Sequence, residues 1–146
     1  MIVELGVEDA GEVLTLQRAA YVSEAMAYDQ FLPPLHETLD EVREVLRRTD
    51  VTVLGIRDNG RLIGMVRLLP GGEIGRLAVA PDRQGEGLGS LLLREVIARS
   101  PGEALWLFTG EHSEGNLRLY RRLGFEETHR ASAGDHDLVY LRRPAA

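Results

Sequence analysis

Leu77-Ala78-Val79-Ala80-Pro81-Asp82-Arg83-Gln84-Gly85-Glu86-Gly87-Leu88-Gly89-Ser90 leads from a strand, through a glycine-punctuated turn, into a helix. Pro81 stops the strand. Leu88, Leu91, Leu92, Val96 and Ile97 then follow at helical spacing. The start of a helix presents backbone N–H groups without intrahelical acceptors and a partial positive charge. Closely spaced glycines beside it let a ligand approach the backbone. Together they make an anion site suited to phosphate or pyrophosphate. The alternative for the same residues is a plain tight turn. No Gly-Lys-Ser/Thr follows, so the stretch is not a P-loop. The spacing of Gly85, Gly87 and Gly89 lacks the wider last interval of a dinucleotide fingerprint, and the upstream strands form a meander rather than a βαβ unit.

Working outward, Ile2 to Leu5 read as a strand, and Asp9 with Glu12 marks a helix start continuing to about Tyr28. Pro33-Pro34 is read as a loop. Thr38 and Glu41 form a capping box, with Leu39, Val42, Val45 and Leu46 behind it at helical spacing. Val51 to Arg57 and Arg61 to Leu69 flank Asp58-Asn59-Gly60, a strong hairpin signal. Pro70-Gly71-Gly72 turns the chain into a third strand, Glu73 to Val79. Downstream, Ala104 to Thr109 is a nearly continuous apolar run that predicts a strand buried on both faces. A helix from Glu114 to Leu123 ends at Gly124, a C-terminal cap position. Phe125 to Arg130 and His136 to Arg142 close the chain as two strands. The order β-α-α-β-β-β-α-β-α-β-β predicts a single α/β domain over residues 1–146, a mixed twisted sheet flanked by helices.

Composition narrows the chemistry. A chain of 146 residues buries roughly 68–70% of its unfolded surface, enough for a core without metal or disulfide. Cysteine is absent, which removes a disulfide scaffold, a thiolate metal site and a cysteine nucleophile together. His36, His112, His129 and His136 lack metal-ligand spacing and read as solvated residues, so no metal is expected. The net charge of −6 disfavours nucleic-acid binding, and the adjacent pairs Arg121-Arg122 and Arg142-Arg143 read as solvated surface. No apolar run approaches the roughly 18 residues of a membrane span. Acidic residues stand where a signal peptide needs a basic segment, so a cytoplasmic location is expected. A homodimer is left open.

Gln84-x-x-Gly87-x-Gly89, after Leu77-Ala78-Val79-Ala80-Pro81, resembles the acetyl-coenzyme A loop of the GNAT family of N-acetyltransferases. Leu119-Tyr120-Arg121-Arg122-Leu123-Gly124-Phe125 is similar to a second family feature, and the element order agrees over nearly the whole chain. The resemblance implies the acyl-CoA N-acyltransferase fold. It also implies direct transfer of acetyl from acetyl-coenzyme A to a primary amine of a small molecule or peptide. The alternative is a non-catalytic acyl-coenzyme A binding module. By the same resemblance, Leu77, Ala78 and Val79 offer backbone groups to the pantetheine arm, and Gln84, Gly85, Glu86, Gly87, Leu88, Gly89 and Ser90 cradle the pyrophosphate. Tyr120 faces the sulfur and protonates the departing thiolate; its spacing alone favours a core tyrosine.

Many members carry asparagine seven residues before that tyrosine, where this chain has Ser113. Ser113 reads as the helix cap, and Asn116 is the residue placed to reach the cofactor. Transfer needs a neutral amine, and a carboxylate, directly or through water, takes the proton. Glu73, eleven residues before Gln84, is the expected base; its plain reading is an exposed strand-end glutamate. Glu24, Tyr28 and Glu37 are the other candidates.

Overall fold

A computed structural model describes residues 2–26 and 33–145. The fold is organised by the hairpin at Asn59-Gly60. Both residues take positive φ, 51° and 80°, as a type I′ turn requires. The turn pairs β2 (Thr52–Asp58) with β3 (Arg61–Leu68). β1 (Ile2–Glu4) joins outside β2, and β4 (Ile74–Val79) joins outside β3, giving an antiparallel sheet in the order β1-β2-β3-β4. The C-terminal half forms a second antiparallel sheet from β5 (Leu105–Gly110), β6 (Glu126–Ser132) and β7 (Asp137–Arg143), in the order β5-β7-β6.

Among the described residues, one backbone bridge links the two sheets. Glu73 forms a parallel bridge with Trp106, just where β4 and β5 begin. Gly72 permits that approach: a Cβ there would lie 2.3 Å from the Ala104 carbonyl oxygen. Beyond the bridge the two strands part, and their facing edges form no ladder.

Helices cover both faces. α1 (Ala10–Ala25) and α3 (Leu39–Arg47) pack together, and α4 (Leu88–Ala98) lies against β2, β3 and β4. Leu92, Leu93 and Val96 of α4 are fully buried, and Gly64 of β3 makes room for Leu92: a Cβ there would lie 3.3 Å from it. α5 (Glu114–Arg122) follows β5, and Gly124 beyond it takes φ 93°.

Three local expectations are corrected. Pro33-Pro34 opens a one-turn helix, α2 (Pro33–His36), because proline fits a first helical position where no N–H is needed. Asp9 does not cap α1; its carboxylate accepts from the Gly6 N–H at 2.9 Å and pairs with Arg57 at 2.9 Å. β5 is buried on one face only: Leu105, Leu107 and Thr109 point into the core, while Phe108 is exposed. Its outer face is instead shared among aromatic rings, with Trp106 and Phe108 at 6.3 and 5.2 Å from Tyr140. The expected end of the first helix near Tyr28 lies outside the described residues. The Thr38–Glu41 box forms as expected, with reciprocal bonds of 3.2 and 2.9 Å.

β4 carries a bulge. Met65 pairs with Ala78 and Arg67 with Gly75, so Val66 faces both Arg76 and Leu77. Arg76 absorbs the extra residue at φ 52°, a region that side chains rarely adopt.

Candidate active site

Where β4 and β5 part, two cavities open and meet at Tyr21, Glu24, Leu77 and Asn116. The larger, about 740 Å³, runs between the end of β4, the start of α4 and α5. Leu77, Ala78, Val79, Gln84, Gly85, Gly87, Leu88, Gly89, Ser90 and Asn116 all line it, as the sequence leads one to expect. Gly87 is the N-cap of α4 at φ 80°, a left-handed conformation that costs a side chain roughly 1–2 kcal/mol. The first turn of α4 contains no acidic side chain, so its N–H groups face the groove without a competing carboxylate. A phosphate fits this end on charge and on access. Gly89 has a second duty: a Cβ there would press on Leu119 at 3.2 Å, so its smallness brings α4 close to α5.

Glu86 is not brought into the groove. Arg83 holds its carboxylate at 2.9 Å, turning it to the outer surface, so only its backbone remains near the anion end. Leu77 offers less than expected as well, because its carbonyl already accepts from the Tyr21 hydroxyl at 3.0 Å. In exchange, Arg118 and Arg122 line the groove. They lie one helical turn apart, and that spacing was the available signal. Arg122 is exposed, as expected of a solvated pair, and it also borders the groove.

The smaller cavity is about 230 Å³. Tyr120, Glu24, Glu73, Arg67, Arg76 and His136 line it. Tyr120 comes from α5 and is 5% exposed, its ring 6.1 Å from Phe125. Its hydroxyl has no hydrogen-bond partner among the described residues. Burial, reinforced by Tyr21 and Glu24, pushes its pKa well above the ordinary phenol value, so it holds its proton.

Glu24 stands at the junction of the cavities. The Ser113 hydroxyl donates to its Oε1, and Asn116 Nδ2 donates to the same oxygen at 3.4 Å. Burial raises its pKa above the ordinary glutamate value, and the Ser113 bond only partly opposes this. Ser113 occupies the N-cap position of α5 but makes no side-chain cap bond; its hydroxyl is taken by Glu24. Glu73 is half-buried on the cavity wall, with no ion-pair partner among the described residues. Glu37 is different. Burial works to raise its pKa, but hydrogen bonds from Arg67 and Gln17 and the charges of Arg67 and Arg76 hold it below the ordinary range. It is locked in an ion pair, which removes it as a base. Tyr28 lies outside the described residues.

His136 is also corrected: it is 5% exposed and lines this cavity, beside Asp135 at 2.8 Å. Tyr21, Arg67 and Arg76 are missed by sequence reasoning, because each reaches the site only through tertiary packing. No helix among the described residues is long and apolar enough to cross a membrane.

Comparison with known proteins agrees with this architecture. The model of the acetyltransferase (GNAT) family matches residues 13–125. The chain is 31% identical over 80 residues to the N-alpha-acetyltransferase RimI of Mycobacterium tuberculosis, covering 50% of this chain and 51% of that one. It is 35% identical over 98 residues to the mycothiol acetyltransferase of Rhodococcus opacus, covering 61% of this chain and 28% of that one. The matched region thus spans about half of the first relative and little more than a quarter of the second. Among solved structures, the PaiA N-acetyltransferase of Thermoplasma acidophilum in complex with coenzyme A superposes with a TM-score of 0.81 at 17% identity, covering 100% of this chain and 98% of that one. The fold is that of the acyl-CoA N-acyltransferases. On the family model and the parted strands above a glycine-rich helix start, the chain belongs to the GNAT family.

Proposed function

We propose that the protein transfers acetyl from acetyl-coenzyme A directly to a primary amine of a small molecule or peptide. The observation that carries this reading is the meeting of two unlike cavities at Glu24 and Asn116. One is a groove lined by the glycines at the start of α4 with Arg118 and Arg122; the other is a small pocket lined by the Tyr120 hydroxyl and two carboxylates. The coenzyme supplies the acetyl group as a thioester and leaves as a thiolate, which takes its proton from solvent once the C–S bond has broken. Backbone edges of Leu77, Ala78 and Val79 align it, and the start of α4 with Arg118 and Arg122 takes its phosphates. A backbone N–H near Val79 polarises the carbonyl. A carboxylate takes the proton from the attacking amine nitrogen as the new C–N bond forms. Tyr120 donates a hydrogen bond to the sulfur as the C–S bond breaks. Holding both partners in one site is itself a large contribution.

Glu24 and Glu73 are the two carboxylates placed for the base. Glu24 is favoured by its raised pKa and its position at the junction. A base acts when deprotonated, so activity should rise as pH climbs through the Glu24 pKa, above 4.5. Glu24→Gln should show a rate deficit that shrinks at high pH, where the amine deprotonates unaided. Glu73→Gln is the companion variant. Rates of coenzyme A release across pH decide: a wild-type profile in Glu24→Gln with a changed one in Glu73→Gln would move the role to Glu73.

Gly87→Val should weaken acetyl-coenzyme A at least about tenfold, or about 1.4 kcal/mol, by blocking backbone approach and straining the cap. Space around the position is open, so the fold itself tolerates the added bulk. Titration calorimetry measures both forms. Unchanged affinity would show that the loop is only a turn. Binding without any acetylated product over a broad amine panel would instead favour a non-catalytic acyl-coenzyme A binding module.

A further inference from the structure

Among the described residues, the inner end of the small cavity brings two guanidiniums to a single carboxylate. Arg67 is 5% exposed; its Nη2 and Nη1 donate to Glu37 at 3.0 and 3.3 Å, and its buried Nε has no partner. Arg76 approaches the same carboxylate, Nε to Oε1 at 3.6 Å, too far for a hydrogen bond, and its Nε is likewise buried and unpartnered. Gln17 Nε2 also donates to Glu37 at 3.0 Å. Two guanidiniums therefore share one carboxylate among the described residues. Arg67 is buried and Arg76 is a quarter exposed, and a largely desolvated cation that only shares a counter-charge is costly, so such an arrangement is expected where a ligand supplies further negative charge.

The backbone supports the same conclusion. Arg76 sits at φ 52° inside β4, at the bulge. Bulges beside active sites re-aim side chains, and a strained non-glycine residue is retained where its side chain is used. Glycine would fit that conformation without strain, yet the chain carries arginine.

Charged and polar side chains stand at both ends of the cavity, between walls that Leu69, Ile74, Leu107 and Leu138 make largely apolar. Glu24 lies within electrostatic reach of Tyr120, at the junction where the amine must react. Tyr21 stands between, within reach of Glu24 on one side and of Arg67 and Arg76 on the other. Glu73 lines the wall but pairs with neither arginine. The volume, about 230 Å³, is below the usual range for drug-sized ligands, roughly 300–1,000 Å³, and suits a small molecule.

We propose that Arg76, backed by Arg67, receives a free carboxylate on the acceptor, which makes the acceptor a small amino acid or a close analogue rather than a peptide amide or polyamine. This rests on the transferase reading above. Arginine matches a carboxylate through paired hydrogen bonds, which a carboxamide cannot reproduce.

The test is a panel of the twenty amino acids, each as free acid and as carboxamide, with phosphoethanolamine added. Turnover is followed by coenzyme A release. Melting-temperature shifts with the same ligands, without coenzyme, read binding independently of turnover. At least one free acid should exceed its own carboxamide roughly tenfold in kcat/KM and should alone raise the melting temperature. That preference should vanish in Arg76→Gln and in Arg76→Gly, which suits the backbone, and persist in Arg94→Gln, an exposed arginine of α4. Carboxamides equal to acids, phosphoethanolamine as the best acceptor, or a preference that survives Arg76→Gly would overturn the proposal and leave the transferase reading standing. Acid-specific melting shifts that require Arg76, with no transfer to any amine, would uphold the carboxylate site and sink the transferase reading. No acid-specific effect in either measurement overturns the carboxylate site outright.

Discussion

Tyr120→Phe is expected to lower kcat by about 100-fold while leaving acetyl-coenzyme A affinity nearly unchanged. The substitution keeps the ring against Phe125 and removes only a hydroxyl that has no partner among the described residues, so the fold should not suffer. The size of the effect follows from the chemistry of the leaving group. A thiol has an ordinary pKa near 8.5, whereas burial pushes the Tyr120 phenol well above its own ordinary value. Full transfer of the phenolic proton to the sulfur is therefore uphill. What the hydroxyl supplies is a fixed hydrogen bond to charge developing in a site with little water, and removing one such donor typically costs 10²- to 10³-fold. The lower end applies because a thiolate is already a competent leaving group. Single-turnover measurement isolates the chemical step from product release. A wild-type rate there would make Tyr120 a packing residue.

Arg67→Met is expected to destabilise the protein by about 3 kcal/mol at neutral pH, a large share of the roughly 5–15 kcal/mol that holds a domain together. Methionine fills much of the space, but Glu37 is left as a buried carboxylate with Gln17 and a distant Arg76. The low end of the range for a broken buried pair applies because Arg76 still offsets part of the charge. The pH dependence gives the mechanism away. In the wild type the pKa of Glu37 is held down, so its contribution is present above the unfolded glutamate value and disappears as pH falls through the lowered one. In the variant that contribution is missing, so the deficit is greatest at neutral pH and narrows in acid as Glu37 takes a proton. Urea unfolding at pH 7 and pH 4 measures both. An equal deficit at the two values would mean that the loss is one of packing.

The features legible in the sequence are those set by near neighbours. Asn59-Gly60 fixes a hairpin because two adjacent residues must share a positive φ. Thr38 and Glu41 fix a helix start through reciprocal bonds three residues apart. Gln84 to Ser90 marks the anion end because glycines and a helix start are contiguous. The misreadings came where one local pattern had two physical outcomes. Pro33-Pro34 breaks a helix from within but also begins one. The apolar run of β5 suits a strand buried twice over, and equally one whose outer side is covered by Tyr140. The Glu37–Arg67–Arg76 cluster was illegible because its members come from a loop and two strands and meet only by packing. Ser113 looked like a cap because its position is one; its hydroxyl is drawn away by a glutamate from the far end of α1.

The single bridge between Glu73 and Trp106 has a further consequence, for self-association. Unpaired strand edges ordinarily invite another protein chain to add itself, and many proteins blunt them with charge or cover. Here the free edges of β4 and β5 are turned toward each other inside the molecule. Each is screened by the other, and the gap narrows to nothing at the bridge. A neighbouring sheet edge is too broad to enter such a wedge; a slender, extended molecule with its own amide groups is not. The same geometry that leaves backbone groups unpaired for a ligand thus keeps them from pairing with a second copy of the chain.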